Sequence, residues 1–244
     1  IATIRRRTHI FAPVFAAVVC TLAACGGGTG VERQTSTAAS ANGNGPEPVI
    51  IGAHAPNVVT FWNEVATNTI NVPPSATGTP AEQRPIYAVD LATVHVAMYD
   101  AVIAIAGTHK PYAVVPKTPA AGASQEAAAT EAAYRVLKGL FPNRAAKYQS
   151  AYDAQIASIA AGDAKDRGMA IGAEVATGIL ALRADDGRSI VLSPYVPGTA
   201  PGQFRGSNPV NTYLPYVKPF TMTSASQFRA DGPPPLSSTT YAED

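Results

Sequence analysis

Between Asn57 and Asp186 apolar residues recur at the three-to-four-residue spacing of helices, and beyond Ile190 that periodicity stops. Val58, Phe61, Trp62 and Val65 predict a short helix over 57–70 with Trp62 buried, ended by Val72-Pro73-Pro74. Residues 73–82 are expected as a loop. Segment 84–106 is apolar nearly all round, with Pro85 in a first turn and Gly107 at the far end. It predicts a buried central helix of about 35 Å at 1.5 Å per residue. Asp90, His95 and Asp100 divide its apolar run into pieces too short to cross a bilayer.

The pattern continues after a connection over 108–122 that holds three prolines. Ser124 caps a third helix reaching Leu140, with Ala127, Ala128, Tyr134, Leu137 and Leu140 inward, and Phe141-Pro142-Asn143 breaks it. A fourth helix is expected over 144–161, with Tyr148, Tyr152, Ile156 and Ile159 on one face. Gly162-Asp163 ends it and caps a fifth over 164–184, built on Met169, Ile171, Val175, Ile179 and Leu182. The many alanines and glycines of that fifth helix predict a close helix–helix approach. From Pro194 to Pro235 nine prolines alternate with Tyr195, Phe204, Tyr213, Tyr216, Phe220 and Phe228. No helix of ordinary length survives that spacing, and the aromatics point to an ordered strap across a helical surface. The expected class is all-α: a partial bundle of about five helices followed by a long irregular arm, with no sheet of any size.

Residues 1–25 carry a different pattern. Arg5-Arg6-Arg7 precedes the ten-residue apolar run Ile10–Val19, which is too short for a stable transmembrane helix. Leu22-Ala23-Ala24-Cys25 then leads into Gly26-Gly27-Gly28 and resembles the lipobox of bacterial lipoproteins, with Cys25 as the lipidation site. An ordinary signal peptide cleaved nearby is the plainer alternative, but the order of basic run, apolar run and cysteine favours lipidation. The expectation is an exported protein anchored in a bacterial membrane through Cys25, on its periplasmic or extracellular face. Residues 26–56 read as a flexible tether, because Gly, Ser, Thr, Ala and Asn dominate them with no apolar period. Cys20 leaves with the leader, so no intramolecular disulfide is expected.

Charge narrows the partners. The chain carries 18 Lys and Arg against 17 Asp and Glu. Three of the 18 are Arg5, Arg6 and Arg7, so 15 cations face 17 anions without the leader. That balance lacks the basic excess of a nucleic-acid binder. Association between copies through helix faces stays open.

No catalytic constellation emerges from spacing. His54, His95 and His109 pair with no other ligand at metal spacing, and neither His-Glu-x-x-His nor Glu-x-x-His occurs. Asp90 and His95 fall about 140° apart on an ideal helix, on different faces. A hydrogen-bonded core role is expected for His95, with Tyr99 within reach. Asp90 and Asp100, costly to bury alone, are expected to accept hydrogen bonds from arginine, tyrosine or backbone amides rather than act as an acid/base pair. The groups around Asp163, Asp166 and Gly168, and Asp185-Asp186-Gly187, lack calcium-loop spacing and read as helix ends.

Several segments together resemble the vanadium-dependent, chloroperoxidase-like branch of the haloperoxidase and type 2 phosphatidic acid phosphatase superfamily. They are Phe61-Trp62-Asn63, Arg84-Pro85 running through His95-Val96-Ala97-Met98-Tyr99-Asp100-Ala101-Val102, and Ala132-Ala133-Tyr134-Arg135-Val136-Leu137 with Leu140-Phe141-Pro142. Arg183-Ala184-Asp185-Asp186-Gly187, Pro215-Tyr216-Val217-Lys218-Pro219-Phe220, Ser226-Gln227-Phe228-Arg229, Pro233-Pro234-Pro235-Leu236 and Tyr241-Ala242 follow in order. The likeness spans residues 57–244 and implies an all-helical enzyme.

It further implies an oxyanion pocket that holds phosphate, or vanadate in its place. In the family that pocket is made by a lysine shortly before an Arg-Pro, a Pro-Ser-Gly-His stretch, and a Ser-Arg followed by histidine. Lysine and arginine neutralise the oxyanion, and two histidines serve as ligand or nucleophile and as acid/base. None of these motifs occurs in the 244 residues: the lysine is missing before Arg84-Pro85, and there is no Ser-Gly-His. No residue is therefore carried over as catalytic, cofactor-binding or metal-binding. The pocket motifs of the family lie beyond the segment resembling Tyr241-Ala242. Residues 57–244 are thus expected to be the N-terminal helical scaffold of a longer enzyme and inactive alone, with vanadate or phosphate implied only for the full-length parent. The alternative is a non-catalytic helical surface lipoprotein that binds a partner.

Overall fold

The computed structural model describes residues 57–243, and every residue in them lies in a helix, a turn or irregular chain, with no strand. The leader, Cys25 and the tether lie outside the described residues. Seven helices occur in the order α1 (Val58–Ile70), α2 (Pro80–Gln83), α3 (Tyr87–Ala106), α4 (Gln125–Leu140), α5 (Ala145–Ala157), α6 (Asp163–Arg183) and α7 (Thr239–Glu243). Five of them form the expected bundle. The remainder, from Arg188 to Ser238, is irregular apart from one 3-10 turn at Leu214–Tyr216.

Local chemistry accounts for the boundaries. The Asn57 side chain accepts hydrogen bonds from the amides of Val59 and Thr60 and starts α1. Ser124 accepts from the Ala127 amide and starts α4. Expectation and structure part at four places. The stretch expected as loop contains α2, whose Thr79-Pro80-Ala81-Glu82 start is a capping box with proline in the first turn. The central helix expected over 84–106, α3, begins at Tyr87, because Arg84, Pro85 and Ile86 are spent on the turn into it. Helix α5 stops at Ala157, four residues early, and Gly162 rather than Asp163 takes the cap of α6. Leu182, assigned to the core, is 41% exposed on the outer side of α6.

Packing also moves the centre of the molecule. Helix α3 was expected there on hydropathy, yet α4 buries ten of its 16 residues against seven of 20 in α3. Ala127–Tyr134 is buried without a break, so α4 is enclosed by α1, α3, α5 and α6. Small side chains permit this: Gly168 and Gly172 of α6 face the backbone of α4, and a Cβ on either would overlap the carbonyl oxygen of Ser124 or Ala128. The close approach expected from composition is present. Around this seam, Trp62, Ile70, Val94, Met98, Leu137, Phe141, Ile171, Val175 and Ile179 complete the core. Each large apolar side chain so buried contributes about 1.5–3 kcal/mol.

Helix α3 is long and apolar enough to cross a membrane. Here one flank packs on α1, α4 and α6. On the opposite side Tyr99 is exposed and Ile103 half-buried.

Candidate functional site

The densest polar arrangement lies where the bundle hands over to the arm. Asp90 sits in the first turn of α3, fully buried, and its carboxylate accepts from the Ile86 amide at 2.9 Å and from Arg188 Nη1 at 2.6 Å. Asp186, one turn past α6, accepts from Arg183 Nη2 at 3.1 Å and from the Arg188 amide at 3.0 Å. A longer contact of 3.5 Å links it to Arg188 Nη2. Two carboxylates and two guanidiniums thus alternate as Asp90, Arg188, Asp186, Arg183, all nearly enclosed. Their formal charges cancel, which is the condition for keeping four ions out of water. Burial outweighs Arg188 at Asp90 and pushes its carboxyl above the ordinary range.

The cluster also fastens the arm. Arg183 Nη1 donates to the Lys218 carbonyl at 2.8 Å, and the Lys218 amide donates to the Asp186 carbonyl at 2.7 Å. Arg84 Nη1 donates to the carbonyls of Arg188 and Ile190 at 2.7 and 2.9 Å. Two stacks add to this, Arg183 over Phe220 at 4.4 Å and Arg84 over Tyr213 at 4.8 Å. Gly187 turns the chain at φ 90°, and a Cβ there would collide with the Tyr216 carbonyl. The strap expected from the aromatics is therefore confined to its root. Val217 is buried and Tyr213 and Phe220 are half-buried, while Phe204 and Phe228 stand 56% and 79% exposed.

Beside the cluster is a recess of about 250 Å³, bordered by Thr79, Thr93, Leu140, Leu180, Arg183 and Arg188. Its donor set does not match an oxyanion pocket of the haloperoxidase kind. Both arginines are already held by Asp90, Asp186 and backbone carbonyls, and no histidine joins them. Among the described residues no three His, Cys, Asp or Glu side chains come together as a metal site.

The remaining singled-out residues go to separate places. His95 meets Asn63 of α1 at 2.9 Å rather than Tyr99, whose hydroxyl donates to the Lys110 carbonyl. Burial holds the His95 ring below its usual range, so it is neutral at pH 7. Asp100 accepts from the amides of Tyr112, Ala113 and Val114 at 2.5, 3.0 and 2.8 Å, which makes it the peg for the proline-rich connection. Asp90 and Asp100 thus have the arginine and amide partners expected of them, at opposite ends of α3. His109 is exposed beside Thr108, and His54 lies outside the described residues.

Sequence reasoning did not find Arg188 or Glu174. Glu174 of α6 accepts from the Thr118 hydroxyl and from the Lys117 amide at 2.6 Å; these bonds, the hydroxyl first, hold its carboxyl below the usual range. Nor did it find the polar group between α4 and α5. There Glu131 bonds Arg135 and the Tyr152 hydroxyl, and Tyr152 stacks on Tyr134 at 4.4 Å. Burial, and then the Glu131 carboxylate, push the Tyr152 phenol up, so it acts only as a donor. Only the Glu131–Arg135 pair, four residues apart on α4, has a short-range spacing. Arg188 meets Asp90 of α3, Glu174 meets the 108–122 connection and Glu131 meets Tyr152 of α5, so those partners lie on other elements.

No family model, no curated protein and no solved structure matches the chain.

Proposed function

We propose that residues 57–244 are the N-terminal scaffold of an exported enzyme of the vanadium-dependent haloperoxidase or type 2 phosphatidic acid phosphatase kind. In the parent the reaction is peroxide-driven halide oxidation or phosphate-ester hydrolysis, and the oxyanion pocket is supplied by sequence following this scaffold. The domain is held at a bacterial membrane by a lipid on Cys25 and the tether after it. One observation carries the reading. Segments on which the family likeness rests, far apart in sequence, meet around one ion cluster. Asp90, Arg183 and Asp186 are buried, Arg183 and Asp186 hold Lys218 and Phe220 of the arm, and Arg188, just past the likeness, links Arg84 and Asp90 to them. A second such pair is Asn63 with His95. Residues that share a structural task in one assembly are the kind a family retains as motif.

The role of the scaffold is then mechanical. The ion cluster fixes the direction in which the chain leaves the bundle, and the arm leads onward from it. The deciding experiment is to read the coding sequence downstream of codon 244. Continuation into a lysine with Arg-Pro and into Pro-Ser-Gly-His is the expected result, and a stop codon overturns the reading in favour of a self-sufficient surface lipoprotein. A second measurement tests the division of labour. Purified protein of these 244 residues is expected to show neither vanadate-dependent bromination nor phosphate-ester hydrolysis, and either activity would refute the scaffold role.

A further inference from the structure

Past the ion cluster, the arm folds back and forms an open recess of about 760 Å³ between residues 192–195 and 207–216, with Arg84 contributing to its lining. Its walls are built rather than incidental. The Tyr195 hydroxyl and the Gly198 amide both donate to the Phe204 carbonyl, at 3.0 and 3.1 Å, closing one limb into a loop. The other limb turns at Asn211, in a left-handed conformation at φ 56°, and tightens through bonds from Leu214 to Asn211 and from Tyr216 to Tyr213. The volume lies within the range of about 300–1,000 Å³ typical of small-molecule sites.

The chemistry of the lining is one-sided. It contains one cation, Arg84, and no carboxylate. Arg84 is half-buried; its guanidinium face lies over the Tyr213 ring, and of its hydrogen-bond donors the fold uses only Nη1, on the carbonyls of Arg188 and Ile190. Among the described residues no carboxylate lies within ion-pair distance of Arg84, and its Nε and Nη2 donate to none of them. That pair of donors is the edge with which a guanidinium takes a carboxylate in two parallel hydrogen bonds. The lining also includes three aromatic side chains, Tyr195, Tyr213 with Arg84 over one face, and Tyr216, together with Asn208, which offers an amide. We propose that this recess binds a small organic anion, a carboxylate carried on an aromatic ring. Arg84 takes the carboxylate through its Nε and Nη2 donors, and the tyrosines flank the ring. The site is separate from the oxyanion pocket implied for the parent enzyme and does not rest on that resemblance.

The test is a calorimetric titration of the protein with 4-hydroxybenzoate, with its neutral amide 4-hydroxybenzamide, and with acetate. Saturable binding of 4-hydroxybenzoate is expected, with both other probes weaker by about tenfold or more, which corresponds to about 1.4 kcal/mol. Equal affinity for acid and amide would remove the Arg84 contact, and equal affinity for acetate would remove the tyrosines. No saturable binding of 4-hydroxybenzoate overturns the site outright. Arg84→Gln is expected to abolish binding, but it also frees the Arg188 and Ile190 carbonyls. Asn208→Asp is the safer variant, because Asn208 is exposed and none of its hydrogen bonds holds the described fold. It sets a negative charge in the lining and is expected to weaken 4-hydroxybenzoate by about tenfold, with an unchanged helical circular dichroism spectrum. Unchanged affinity in that variant refutes the proposal.

Discussion

Helices α4 and α6 are joined by backbone brought against backbone, whereas the arm after Ile190 is joined to the bundle by a few long side chains at one end. At the seam, Gly168 and Gly172 leave no room for a methyl group, and alanines fill the remaining surface. At the arm, Val191, Val196 and Val210 are 92%, 82% and 82% exposed, and attachment rests on Arg84, Arg183, the Tyr112 hydroxyl on the Phe220 carbonyl and the Lys218 amide on the Asp186 carbonyl. The first region is held by shape and the second by charge and hydrogen bonds. The ion cluster is where the two meet, and with Val217 beside it the cluster shares the dryness of the core. A change there should therefore behave like a core mutation, although the residues are polar.

The comparison can be broken in order of expected effect. Arg188→Ala strands Asp90 as an unpaired buried charge and should cost about 3–5 kcal/mol in urea unfolding. A cost below about 1 kcal/mol, the range of an exposed pair, would mean that water reaches the cluster. Gly172→Val drives a branched side chain into the α4 backbone and should cost about 1–3 kcal/mol or more. Gly232→Ala is its control in the arm, where nothing lies within 4 Å, and should stay within about 0.5 kcal/mol. If the two cost the same, the seam is not held by shape.

Two pH profiles sharpen the picture further. The folded His95 ring has a pKa lowered from 6.5, so the unfolded chain binds its proton first. Its contribution to stability is complete above pH 6.5 and fades as pH falls through the folded value. His95→Gln should flatten that part of the stability profile, and an unchanged slope would exclude His95 as its source. Glu174 acts in the same sense lower down, from its ordinary 4.5, and Glu174→Gln should remove that acid-side loss. Asp90 runs the other way, because its folded pKa is raised above 3.8 and stability falls as pH rises from there towards the folded value. The smallest effect belongs to Phe228→Ala, which should leave thermal unfolding within about 0.5 kcal/mol because the ring is already mostly in solvent.

Much of the bundle was legible because its signals are local. Asn57 and Ser124 precede apolar periods and do start helices, and Gly168 and Gly172, four residues apart, lie on the face that meets α4. Helix α2 was missed: residues 73–82 were expected as loop because its four residues show no apolar period, although Thr79-Pro80-Ala81-Glu82 carries a capping box. The exchange of rank between α3 and α4 has a physical reason. Hydropathy measures how apolar a side chain is, and α3 exceeds α4 on that scale. Depth depends on how near the neighbours approach, and alanine permits the nearest approach. The candidate site was the least legible part. Burial cost predicted that Asp90 must have a partner, but that partner, Arg188, is 98 residues away.

By itself the sequence determined the helical class, the main starts and stops of the bundle, and the need to neutralise each carboxylate carried into it. Those follow from side-chain geometry and hydration, which act within a few residues. Only the tertiary structure decided that α4 lies at the centre, that Asp90 takes Arg188 while Asp100 takes three amides, and that the arm is fixed at one end alone. Each of those outcomes depends on which distant groups share one small volume, and an ion pair or close contact has no preference until the backbone has brought its partners there.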